Sequence, residues 1–112
     1  MTVHYSISLP DPAKARGSDP RLSFTASGAD AFAEQLQAAL RTPELFERWK
    51  ATQDEPDDVD PALGLTDPAA TVTGQQADLR INLVASTTLP GDIFKQRLRL
   101  LAGSHWEMRD VR

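Results

Sequence analysis

Residues Ala77 to Val111 constrain this fold more than any other part of the chain, because they spell strand, helix, stop and strand with almost no filler. The run Ala77 to Ser86 alternates apolar with polar side chains, the two-residue period of a strand with one buried face. Leu89, Pro90, Gly91 and Asp92 then open a helix that runs to Ala102 and stops at Gly103. His105 to Val111 alternates again. A helix set between two strands must fold back onto the sheet that receives them, so the class is α+β or α/β.

The remainder of the chain supplies the other elements. Thr2 to Leu9 sets Val3, Tyr5, Ile7 and Leu9 on one face and His4, Ser6 and Ser8 on the other, a first strand. A loop with three prolines (Pro10, Pro12, Pro20) and Gly17 follows. Arg21 to Ala26, with Leu22, Phe24 and Ala26 inward, reads as a second short strand, giving a hairpin with a long loop. Ser27 as N-cap, with Asp30 three residues on, opens an amphipathic helix whose stripe is Phe32, Ala33, Leu36, Ala39 and Leu40. Thr42, Pro43 and Glu44 restart a helix to about Ala51, carrying Leu45, Phe46 and Trp49. Residues 53–68 form an acidic, Pro-rich loop. Ala70 to Thr73 is a short strand that turns at Gly74, Gln75 and Gln76 into the long one.

The predicted order β-β-α-(α)-β-β-α-β is an α+β, two-layer sandwich over residues 1–112. From Arg21 onward it has the ferredoxin-like split βαββαβ pattern, with an extra N-terminal strand. If Ala70–Thr73 is only loop, the order becomes ββαβαβ.

Composition removes several function classes. No Cys is present, which excludes disulfides, Cys-ligated zinc, iron–sulfur sites and a thiol nucleophile. Residues 51–79 hold seven acids and no Lys or Arg, whereas residues 80–112 hold six bases and three acids. A net charge of −4 argues against a nucleic-acid partner, since such binding rests on neutralising phosphates. No apolar run approaches the roughly 20 residues of a spanning helix, so no membrane partner is expected. The first ten residues lack the basic and apolar regions of a secretion signal, and the expectation is a cytoplasmic protein.

No glycine-rich phosphate loop, HExxH, GxSxG or zinc-ligand spacing occurs, so no cofactor is expected. The acidic run from Asp54 to Asp60 fails the calcium-loop template: counted from Asp58, the sixth position is Leu63 and the twelfth Ala69. Arg97 lies within the apolar stripe of Ile93, Phe94, Leu98, Leu100 and Leu101 and must snorkel, pair with a carboxylate, or meet an anionic ligand. Alternation places His4, Arg80, Asn82, His105, Glu107 and Arg109 on one polar face of the sheet. His105, His4 and Glu107 are there the candidate acid–base groups, and Arg80, Arg97 and Arg109 the candidate ligand-binding cations. The competing reading is a solvated face with cross-strand charge pairs.

The leading expectation is a non-catalytic interaction module that associates through its sheet with a protein partner or as a homodimer. The alternative is a small enzyme or a domain binding a small anionic metabolite through the His/Arg cluster. An acidic adaptor or chaperone ranks below both, because such proteins begin with a helix and this chain begins with a strand.

Overall fold

A computed structural model describes residues 2–112. Its strands are β1 (Val3–Leu9), β2 (Thr71–Ala77), β3 (Arg80–Thr87) and β4 (Glu107–Val111). Its helices are α1 (Ala29–Arg41), α2 (Glu44–Lys50) and α3 (Gly91–Ala102), and three short 3₁₀ turns occupy the loops. The protein is an α+β fold with one four-stranded sheet of order β2-β3-β1-β4, antiparallel at every pair.

Alternation along the strands divides the sheet into two faces. Tyr5, Ile7, Leu9, Ile81, Leu83 and Ala85 are buried against Phe32, Leu36 and Leu40 of α1 and Ile93, Phe94 and Leu98 of α3. All the α1 stripe residues expected from periodicity are buried. Tyr5 ties the first strand to the last helix: its ring stacks on Phe94 at 4.2 Å, and its hydroxyl donates to the Leu89 carbonyl at 2.9 Å.

Several local expectations change, among them the N-cap of α1, which is Gly28 with no side-chain cap and not Ser27. Arg21–Ala26 is not a strand, so the sheet has no extra N-terminal strand. Leu22, Phe24 and Ala26 are buried as the alternation requires. The backbone, however, is satisfied outside the sheet: Phe24 N–H donates to Leu101 O of α3, and Thr25 and Ala26 N–H donate to Gln35 Oε1 of α1. The segment therefore lines the helical layer. The ββαβαβ alternative fails because β2 is a full strand, and β2 also runs through Gly74 instead of turning there. The turn is the two-residue Asp78–Leu79, where Asp78 takes φ 57°. Asp tolerates this left-handed conformation better than most residues.

Gly74 serves close approach instead. A Cβ there would lie 2.4 Å from the Ala29 carbonyl oxygen, where α1 begins. Backbone on both sides leaves little room to relax. Gly74→Ala is expected to lose about 1–3 kcal/mol of unfolding free energy, measured by urea denaturation. An unchanged midpoint contradicts the close packing of α1 on β2.

α1 also ends in a specific way. Thr42 does not cap α2 but closes α1, donating from both its N–H (3.1 Å) and its hydroxyl (3.0 Å) to the Ala38 carbonyl. Pro43 has no N–H to offer the Ala39 carbonyl four residues back. The donor that replaces it comes from α3.

Candidate functional site

That donor is Arg97. Its side chain is 0% exposed, with Nη1 donating to Ala39 O at 2.8 Å and Nη2 to Leu63 O at 2.8 Å and Leu65 O at 2.5 Å. Among the described residues no carboxylate pairs with it. The partial negative charge at the α1 C-terminus partly compensates the buried cation, and burial lowers its pKa. Arg97 thus neither snorkels nor lines the open face. It joins α3, the end of α1 and the 3₁₀ turn Pro61–Gly64. The sequence signal was available: a proline four residues after Ala39 orphans a buried carbonyl.

Asp67 complements it and is the one acid of the 53–68 loop to be buried, at 7% exposure. Its N–H donates to Leu40 O at 2.8 Å. Its carboxylate accepts from Thr88 N–H (2.9 Å), Thr87 Oγ1 (2.9 Å) and Ala69 N–H (3.1 Å). The Thr88 N–H bond is the largest of the causes that hold its pKa below the ordinary 3.8. Together the two groups fasten the end of the acidic loop to the helical layer and to the end of β3.

The other candidates lie on or beside the uncovered face of the sheet. Along β1 and β3 the register makes rows: His4 opposite Ser86, Ser6 opposite Val84, and Ser8 opposite Asn82. β2 adds Thr71, Thr73 and Gln75 to the same rows. β4 adds Asp110 beside Ser6 and Glu107 beside Ser8, with a bulge that inserts Arg109 between those rows.

The expected six-residue cluster is only partly assembled. Arg80, Asn82 and Arg109, with Ser6, line one shallow depression of about 330 Å³. Glu107 reaches it through Arg109, at 3.3 Å. His4 lies at the far end and bonds Ser86 Oγ at 2.7 Å. His105 lies off the strand, exposed, two residues before Glu107. Four residues of strand, about 13 Å, separate His4 from the Ser8–Glu107 row, and His105 lies beyond it. The two histidines therefore do not share a site. Among the described residues no three His, Asp or Glu side chains converge to hold a metal ion.

Apart from Arg80, no outward position on β2, β3 or β1 carries a Lys, Arg, Asp or Glu. In a chain with 25% charged residues this is a charge-poor surface. Val84 stands near its centre, 40% exposed. The charges gather on β4 and Arg112 just after it, where they pair as Glu107–Arg109 and Asp110–Arg112.

The sheet edges are guarded by two different devices. α1 packs along β2, and Gln37 Oε1 accepts the Val72 N–H at 3.0 Å. β4 is blunted by its bulge and charged side chains. Both are known protections against strand addition. Elsewhere, a cleft of about 100 Å³ between α1 and α2, lined by Ala39, Leu45 and Arg48, has room for little more than a few waters.

Among the described residues no helix is long and apolar enough to cross a membrane. Comparison with protein-family models, curated proteins and solved structures gives no match to this chain.

Proposed function

We propose that the chain is a non-catalytic binding module of ferredoxin-like topology that associates, through the open face of its sheet, with a second copy of itself. The topology is supported by the order β1-α1-α2-β2-β3-α3-β4, in which Val3–Leu9 is itself the first strand of the split pattern.

The observation that carries the association is the charge-poor outer surface of β2, β3 and β1. Exposed sheet faces usually carry charged side chains, because Lys, Glu, Arg and Asp are the residues most at home in water. Here short hydroxyl and amide groups surround Val84, and Ser and Thr lose less rotamer freedom than Lys or Glu when covered. Two such faces meet without like-charge conflict, except at Arg80. With both edges guarded, the face is the part of the sheet left to associate.

Its size sets the strength. Three strands at about 4.8 Å spacing, each about 23 Å long, cover about 330 Å². That is well below the roughly 800 Å² per partner of a standard stable interface, so the dimer is weak and concentration-dependent.

Sedimentation equilibrium from micromolar to millimolar protein tests this. The weight-average mass is expected to rise from 12.3 kDa toward twice that value. Val84→Arg is expected to hold it at the protomer mass. A wild type that stays monomeric throughout, or a variant that dimerises equally well, overturns the reading.

A further inference from the structure

We infer that the depression between Arg80 and Arg109 is a binding site for a small metabolite bearing an oxyanion, a phosphate or carboxylate group. The inference rests on the open face being the working surface, and it does not require a second copy.

The lining sets donor-bearing residues among apolar ones: two arginines from different strands line one depression, together with Asn82 and Ser6, beside Ile7, Leu83 and Val84. Arg80 has no hydrogen-bond or ion-pair partner for its guanidinium among the described residues. Arg109 has one carboxylate, Glu107, through a single 3.3 Å contact between side chains each about half exposed (56% and 50%). Such a surface pair is weak and readily exchanged for a better acceptor. A phosphate or carboxylate is that acceptor, because its oxygens match the guanidinium fork in two parallel bonds.

The bulge contributes as well, since β-bulges re-aim side chains at binding sites. Here it places Arg109 between the Ser6 and Ser8 rows. A volume of about 330 Å³ falls at the low end for small-molecule pockets, which suits a small metabolite better than a nucleotide.

Glu107 is then the site's internal competitor, and this yields a test with an unusual sign. The experiment is an amide NMR titration of dilute, micromolar protein with inorganic phosphate, at ionic strength fixed with sodium chloride. Saturable shifts are expected at Ser6, Asn82 and Arg109. Arg80→Gln and Arg109→Gln are each expected to weaken binding by about tenfold or more, the scale of a lost charge-assisted bond. Glu107→Gln is expected to tighten it by about threefold, the scale of a surface ion pair removed. A parallel acetate titration separates the sources: tighter phosphate binding indicates a phosphate ligand, and tighter acetate binding a carboxylate. Shifts that never saturate, that chloride reproduces, or that survive Arg80→Gln overturn the assignment, as does a Glu107→Gln variant that binds more weakly. Such a failure at micromolar protein leaves the millimolar self-association as a separate question with its own answer.

Discussion

Arg97→Ala is expected to lower the unfolding free energy by about 3–5 kcal/mol, the largest effect of any single substitution considered. Truncation leaves the carbonyls of Ala39, Leu63 and Leu65 without their donor and opens a cavity beside α1. Each buried group left unsatisfied costs about 1–3 kcal/mol. A domain with about 5–15 kcal/mol in total has little margin for such a loss. Arg97→Met separates the contributions, because it removes the buried charge and the donors while keeping most of the volume. Its expected loss is smaller, about 2 kcal/mol, since the cavity is filled and the cation no longer has to be desolvated. Urea denaturation reads both. A loss below about 1 kcal/mol for Arg97→Ala means that those carbonyls find water in solution and that the guanidinium is not the fastening described.

Asp67→Ala carries the second-largest effect, about 2–3 kcal/mol, because it strands the Thr87 hydroxyl and the Thr88 N–H. Its dependence on pH identifies the cause. The folded pKa is lowered, first by the Thr88 N–H, so the stabilisation is complete above the unfolded value near 3.8 and is lost as pH falls through the folded value. The stability difference between wild type and Asp67→Asn is therefore constant at neutral pH and shrinks in acid below about pH 4. A difference that stays constant down to pH 2, or that grows in acid, rules out the carboxylate as the source.

These two residues mark where sequence reasoning stopped. Periodicity identified the stripes of α1 and α3 and the inward faces of β1 and β3, because each reports a buried face within a single element. Arg97 broke the α3 period, and its partners are backbone carbonyls from distant segments, which side-chain patterns do not display. Asp67 was one acid among seven between residues 51 and 79, and only the fold separates it from its solvated neighbours. Arg21–Ala26 carried a genuine burial signal, yet alternation reports which side chains point inward and not what the backbone pairs with. Gly74 resembled a turn residue because close approach and tight turning both require glycine. The proposed cluster split because alternation assigns a face but not a row. His4 and His105 differ by the length of the strand, and the β4 bulge that brings Arg109 beside Ser6 leaves no mark in the sequence.

The most direct test of the open face as the association surface is a concentration series of amide NMR spectra on the wild-type protein. Shifts that move with concentration are expected at Ser6, Thr73, Gln75, Asn82 and Val84, with none in Asp54–Asp60 or in α2. Shifts confined to the acidic loop or the helical layer, or none at millimolar protein, contradict the account.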